Sequence, residues 1–412
     1  MRFGHTIVEH EPFSIPMIGN TATGAVIGLT PEGRALCHRM FTEDVPDEVV
    51  AAVDERLLEH LRRGGFGEEA RADGEPKLQA AYLHVTHRCN LRCVGCYSAV
   101  DGRNEKDDLP LETMLGIVDR LAAAGVTRLV ISGGEPFLRD DLAAIAAGAK
   151  EAGIEQVDVL TNGTRVTGEV LEALASWVDC ISVSFDGADA RAVSAIRREN
   201  RFSELVETVK RIRAAGVRAH IIPTIHRGNG DAMGSYCALA EELGATINFS
   251  LLSAPADGGE LAAVLPDEEA LVALARATLG LASGGVPLLA DTPVSTGLCT
   301  TTGCGAGCSV VSVSADGEVF PCHLLHDEAF CAGSLHDDPA CLERLRRPAP
   351  PVDELVPCGA CEIRYLCGGG CRARAYFATG DVGARDPYCT LMRTFYRLLF
   401  QAMMGAEMGK EV

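Results

Sequence analysis

Three cysteines, Cys89, Cys93 and Cys96, stand in the run Cys89-Asn90-Leu91-Arg92-Cys93-Val94-Gly95-Cys96-Tyr97. Thiolates this close in sequence can wrap one face of a four-iron cube, and short cysteine spacings of this kind are the ordinary iron–sulfur signature. A closed cluster takes four ligands. No fourth cysteine joins this loop, since Cys37 precedes a different segment and Cys180 lies far downstream. One iron is then left open, and an open iron is a place for a small molecule to bind. A three-cysteine zinc site and a trio of reduced structural thiols are the other readings of the same spacing.

A second element lies downstream. Ser132-Gly133-Gly134-Glu135-Pro136 follows the apolar run Arg128 to Ile131, so two glycines at a strand end let backbone approach a neighbour closely and set a carboxylate beside it. A third concentration follows Pro293: Cys299, Cys304, Cys308, Cys322, Cys331, Cys341, Cys358, Cys361, Cys367, Cys371 and Cys389. Within it Cys358-x2-Cys361-x5-Cys367-x3-Cys371 is sharply spaced. Asp316-Gly317 forms a turn between the strand-like Ser309 to Ser314 and Glu318 to Pro321, a hairpin that delivers Cys322 at its exit. Paired C-x2-C spacings also build zinc ribbons, which is the alternative for this region.

The elements that must position these residues alternate. Apolar β-like runs at Ala80 to Thr86, Thr127 to Ser132, Gln156 to Thr161, Cys180 to Phe185, Val217 to Thr224 and Ala245 to Leu252 are interleaved with helical stretches. Six β/α units predict a parallel sheet with outer helices, closed only in part into a barrel, with the chemistry at the C-terminal strand ends. The cysteine loop follows the first strand, Gly133, Gly134 and Glu135 the second, Thr161-Asn162-Gly163 the third, and Ser184 ends the fourth. All of them fall on one rim. Ahead of the barrel, Thr21 to Leu29 reads as a strand and Thr30-Pro31 as the cap of a helix. A second helix, opened by Asp44 and Pro46, carries an apolar stripe to Gly64-Gly65. Phe66 to Lys77 reads as a linker.

With 412 residues the chain is long enough for two or three domains. We expect them at 1–77, 78–290 and 291–412. A formal net charge of −20 argues against a nucleic-acid partner, whose phosphates would demand a basic face. Seventeen cysteines without an apolar signal core in Met1 to His10 point to thiolates kept reduced or metal-bound in the cytoplasm. No apolar run is long enough for a membrane span.

In the C-x3-C-x2-C loop, the GGEP motif and their order, the sequence resembles the radical S-adenosylmethionine (SAM) superfamily. The resemblance implies a [4Fe-4S] cluster on Cys89, Cys93 and Cys96 whose open iron chelates SAM. It also implies that Gly133, Gly134 and Glu135 hold the methionyl amine, with Tyr97 beside the cofactor. Ser184 would reach the ribose and Arg197 the carboxylate, with Arg191, Arg198 and Arg201 close to the last.

The C-terminal cysteines resemble the SPASM extension of that superfamily, which holds two auxiliary [4Fe-4S] clusters. By resemblance Cys304, Cys322 and Cys371 bind the first, with Cys299 as fourth ligand and Cys308 competing for that place. Cys358, Cys361, Cys367 and Cys389 would bind the second. The N-terminal module is similar to the winged-helix leader-recognition domains of peptide-modifying members. Sulfatase-maturing members carry an aspartate base directly after the equivalent of Cys322. Here the residue is His323, which puts formylglycine formation in doubt and makes His323 the candidate base, with an ordinary pKa suited to proton uptake.

The expected activity is maturation of a ribosomally made, leader-bearing peptide by a thioether or carbon–carbon crosslink or by epimerisation, with flavodoxin or ferredoxin as reductant. A small-molecule or tetrapyrrole decarboxylase or dehydrogenase is the alternative enzyme. A non-catalytic iron–sulfur electron carrier is the alternative of another class.

Overall fold

Ala81, Leu83 and Val85 alternate with Tyr82, His84 and Thr86, and this period of two sends the first set into the apolar core and the second toward the concave side of a sheet. The computed structural model describes residues 1–67, 78–185, 187–189, 194–253, 262–282, 288–290 and 292–408. Most of the expected linker, residues 68–77, lies outside them.

Three short strands, β1 (Ile7–His10), β2 (Met17–Asn20) and β3 (Val26–Gly28), form an antiparallel meander. Helices α1 (Pro31–Met40), α2 (Asp47–Val53) and α3 (Glu55–Arg63) pack on it. The expected strand at Thr21 to Leu29 is half turn and half β3. Where one helix was expected after Pro46 there are two: Asp54 is extended, at φ −160°, and its carboxylate accepts from the amides of Arg56 and Leu57. A side chain that caps a new helix start competes with continuing the old one.

The barrel strands are β4 (Ala80–His84), β5 (Arg128–Ser132), β6 (Gln156–Thr161), β7 (Cys180–Phe185) and β8 (Arg218–Ile225), all parallel. The sixth expected strand is broken into β9 (Thr246–Ile247) and β10 (Ser250–Leu251), both on β8. Phe249, between them, exchanges backbone bonds with Leu288 and Ala290 instead. Helices α4 (Leu111–Ala123), α5 (Leu142–Glu151), α6 (Gly168–Leu174), α7 (Phe202–Ala214), α8 (Met233–Leu243) and α9 (Glu268–Leu281) cover the convex side.

The hairpin β11 (Val310–Val313) and β12 (Glu318–Phe320) turns at Gly317, whose φ of +84° favours glycine. Sequence reading missed where it goes. β11 lies parallel to β4, Val310 opposite Ala80 and Val313 opposite Leu83, so the C-terminal region continues the barrel sheet. β13 (Gly333–Ser334) extends it, and α10 (Cys341–Arg344), α11 (Arg364–Cys367) and α12 (Arg372–Thr379) carry cysteine loops. The last helix, α13 (Cys389–Met408), packs along α9. The architecture is mixed α/β: a partial parallel barrel, a small antiparallel module ahead of it and a cysteine-rich region after it.

Candidate functional site

The cysteine loop leaves β4 through Thr86 to Arg88, and the next strand end is packed against that departure. Gly134 donates its amide to Thr86 O at 2.7 Å and Glu135 to Arg88 O at 2.8 Å. A Cβ on Gly133 would stand 2.5 Å from Thr86 O, and one on Gly134 2.1 Å from Arg88 O. The close approach that the two glycines permit is therefore to the root of the cysteine loop.

Glu135 is fully buried. Its Oε1 accepts from Thr161 Oγ1 (2.7 Å) and the Phe137 amide (3.1 Å), and its Oε2 from the Asn162 amide (2.7 Å). Burial pushes this carboxyl above its ordinary range, opposed by those three donors and by Arg197. Glu135 thus ties the second strand end to the third.

The sulfurs collect weak donors. Cys89 Sγ faces Asn162 Nδ2 at 3.9 Å and the Leu91 amide at 3.5 Å. Cys96 Sγ faces Ser98 Oγ at 3.4 Å and Arg103 Nη1 at 3.9 Å. The loop itself is pinned by the Val94 amide on Ile196 O, by Arg103 on Leu91 O, by Asn90 Nδ2 on Thr164 Oγ1 and by Asn162 Nδ2 on Asn90 Oδ1. Tyr97, at its end, shares a 2.9 Å hydroxyl contact with Ser132. Ser184 is half-buried on the same rim, and its carbonyl accepts from Arg197 Nη2 at 2.8 Å, while Arg197 Nη1 donates to Asn162 O at 3.2 Å. Of the neighbouring arginines, Arg201 is paired with Glu199 and Glu204, and Arg191 lies outside the described residues.

Two cavities receive the C-terminal cysteines. The first, about 560 Å³, is lined by Cys299, Cys304, Cys322, Cys371 and one side of Cys367, with Tyr82 and His323 on its wall. The second, about 340 Å³, is lined by Cys358, Cys361, Cys367 and Cys389. Cys308 lines neither: it is buried, with Arg347 Nη2 3.2 Å from its sulfur. Among the described residues no three His, Cys, Asp or Glu side chains close on a single ion. Four thiols around a larger cavity are a donor set for a cluster.

Between the cavities sits an ion pair that sequence reading missed. Asp386 and Arg374, each 1% exposed at the side chain, bond through both carboxylate oxygens. Asp386 Oδ2 also accepts from the Cys371 amide at 2.6 Å, and its carbonyl from the Cys389 amide at 3.0 Å. One aspartate therefore holds a cysteine of each cavity. Tyr82, His84 and His326 were missed as well. His84 is buried and His326 half-buried, with ring centroids 4.5 Å apart, and His326 Nε2 meets Ser312 Oγ at 2.7 Å. Burial first, then the neighbouring histidines, holds His84 well below the ordinary histidine pKa and His326 at about 3. Each is a neutral ring. None of these residues carries a spacing signal, because their partners come from distant strands.

The family described as the radical SAM superfamily matches residues 83–235. The chain is 31% identical over 345 residues to the AdoMet-dependent heme synthase of Methanosarcina barkeri, an alignment covering 76% of this chain and 96% of that protein. It is 30% identical over 322 residues to the mycofactocin maturase MftC of Mycobacterium ulcerans, covering 74% and 86%. Among solved structures, native anSMEcpe with bound AdoMet and Cp18Cys peptide superposes with a TM-score of 0.63 at 16% identity, over 80% of this chain and 98% of that one.

Proposed function

The chain belongs to the radical SAM superfamily, and from that premise we propose that it is a peptide maturase, installing a crosslink or an epimerised centre in a ribosomally made peptide. The observation that carries the peptide reading is the outer edge of β3, an end strand of the N-terminal meander with no further strand paired to it among the described residues. An edge strand offers unpaired backbone groups to which an extended leader can add. Mycofactocin maturase similarity and the peptide held in the anSMEcpe structure support the same class. Tetrapyrrole chemistry is the second reading, because the heme synthase is as similar to this chain as the maturase is.

When bound, a [4Fe-4S] cluster and SAM supply a 5′-deoxyadenosyl radical for hydrogen abstraction. The residues of this chain do the rest. Cys89, Cys93 and Cys96 would hold the cluster at which SAM binds. The Gly133–Gly134 backbone, Tyr97, Ser184 and Arg197 orient SAM along the rim. Cys299, Cys304, Cys322 and Cys371 would hold a first auxiliary cluster, and Cys358, Cys361, Cys367 and Cys389 a second, which would suit oxidative crosslinking by accepting the electron that a substrate radical must lose. His323, on the wall of the first cavity, takes a proton from the substrate. The functional division is 1–77 for peptide recognition, 78–290 for the radical and 291–412 for the auxiliary clusters. A flavodoxin or ferredoxin is the reductant, in the cytoplasm. Among the described residues no helix is long and apolar enough to cross a membrane.

The test is anaerobic incubation of the reconstituted enzyme with SAM, reductant and a precursor peptide encoded beside its gene, followed by mass spectrometry. A peptide that loses two hydrogens, or exchanges one at Cα in deuterated water, supports the reading. An unchanged peptide together with a modified tetrapyrrole overturns it. Failure to form 5′-deoxyadenosine under any condition would return the electron-carrier alternative.

A further inference from the structure

Of the eight cysteines assigned to the two cavities, seven are half-buried and Cys299 alone is exposed. It stands in an irregular segment, outside any helix or strand, and the local contact of its sulfur is a 3.8 Å approach to Thr300 O. What holds it comes from the far end of the sequence. The Thr300 amide donates to Gly24 O at 2.8 Å and the Thr300 hydroxyl to Ala25 O at 3.2 Å. Thr300 itself is buried, and it fills the space that a side chain at Gly19 would need: a Cβ there would lie 2.2 Å from Thr300 Oγ1. A Cβ on Gly24 would lie 2.6 Å from Cys299 Sγ. Two glycines of one hairpin, on β2 and in the β2–β3 turn, thus make room for two consecutive residues of the cysteine segment.

The hairpin is itself braced. Asn20 Nδ2 donates to the carbonyls of Gly64 and Gly65, and Thr23 Oγ1 to Gly64 O, which anchors the turn to the end of α3. On the other side of the segment the Thr301 amide donates to Tyr365 O at 2.7 Å, tying it to α11 between the two cavities. The sulfur of Cys299 is therefore clamped between the N-terminal module and the cysteine-rich region.

We propose that the β2–β3 hairpin is a structural part of the first four-cysteine cavity, with Gly24 and Thr300 as the positioning residues that hold Cys299 as its fourth ligand. This rests on the reading of Cys299 as a ligand. It gives the N-terminal module a second role beside peptide recognition. Because β3 begins two residues after Gly24, a strand added to its edge bears on the same turn, and binding there and ligation at Cys299 are coupled in both directions.

The experiment compares electron paramagnetic resonance spectra of the dithionite-reduced, fully reconstituted chain in three forms: wild type, Cys299→Ala and Gly24→Ala. Cys299→Ala fixes the spectrum of a first auxiliary cluster that has lost this ligand. Gly24→Ala is expected to reproduce that spectrum, with the other two cluster signals as in wild type. If Gly24→Ala does not fold, Thr300→Val, which keeps the volume and removes the hydroxyl bond to Ala25, is expected to shift the same signal in the same direction. A wild-type spectrum from Gly24→Ala and Thr300→Val beside an altered Cys299→Ala overturns the positioning role and leaves the ligand reading intact. A wild-type spectrum from Cys299→Ala removes the ligand reading and the proposal with it.

Discussion

His323 meets Tyr97 edge to face, with ring centroids 5.4 Å apart. Tyr97 directly follows Cys96, and His323 directly follows Cys322, so one aromatic contact joins the rim loop to the first four-cysteine cavity. Tyr82 completes the wall by stacking on the other side of the imidazole at 4.2 Å. Replacing His323 by Phe keeps a ring for both tyrosines and removes the proposed base. Product formation should fall about 10²-fold or more, the usual range for a lost general base, while uncoupled 5′-deoxyadenosine release persists. Chromatographic quantification of both products checks this, and full turnover by the Phe variant would leave His323 as packing alone.

Replacement of Cys89, Cys93 and Cys96 together by Ala should abolish 5′-deoxyadenosine release and lower reconstituted iron from about twelve to about eight per chain, the count for three [4Fe-4S] clusters losing one. Release that survives the triple variant would put the radical site elsewhere.

Asp386→Asn should act on stability and on the first cavity. Removing one member of a buried ion pair strands the other charge, which costs about 3–5 kcal/mol, here at Arg374 with Asp386 beside it at 1% exposure each. The expected outcome is a clear drop in Tm and iron loss from the first cavity, where the Cys371 amide bonds the Asp386 carboxylate, whereas the main-chain carbonyl that holds the Cys389 amide is unchanged by the substitution. Full retention of iron at the first cavity would contradict the role that the Cys371 amide gives this carboxylate.

His10 sets a pH dependence. It is 5% exposed, stands edge-on to Tyr365, and neither ring nitrogen has a hydrogen-bond partner among the described residues. Burial, aided by Arg364, lowers its pKa from 6.5 to about 4. The unfolded chain therefore takes up a proton as pH falls through 6.5 while the folded chain does not, and stability present above that pH is lost between roughly 6.5 and 4, by at most about 3 kcal/mol. Thermal unfolding of His10→Phe from pH 7.5 to 4.5 should show a flatter decline than wild type. Parallel declines would mean that other groups govern acid sensitivity.

Periodicity carried the barrel. The boundaries read for Gln156–Thr161 and Cys180–Phe185 are those of β6 and β7, because strands buried on the convex side leave an unbroken alternation. The same signal fails for β1 and β2, four residues each with Pro12 and Pro16 between them, too short to show a period. It fails for Asp54, where one side chain divides a continuous apolar stripe. Within the candidate site, the grouping of the C-terminal cysteines around two cavities was legible from their close spacing. Glu135 was legible as a motif, though its three donors, from Phe137, Thr161 and Asn162, were not. Pairs such as His84 with His326, or Gly24 with Cys299, are made by tertiary packing between residues more than two hundred positions apart, and no local pattern encodes them.

The pairing of β4 with β11 bears on how the protein is made. β4 leads directly into Cys89, Cys93 and Cys96, yet its partner on one edge is encoded some 230 residues later. At synthesis rates of about 5–20 residues per second, that strand reaches the nascent chain roughly 10 to 50 s after β4 does. Throughout this interval the cysteine loop sits on a strand with one side open, accessible to cluster-delivery machinery and to oxidants alike. Docking of β11 closes that window, so the order of events on the ribosome, iron delivery before or after the C-terminal hairpin, becomes a property written into the sheet.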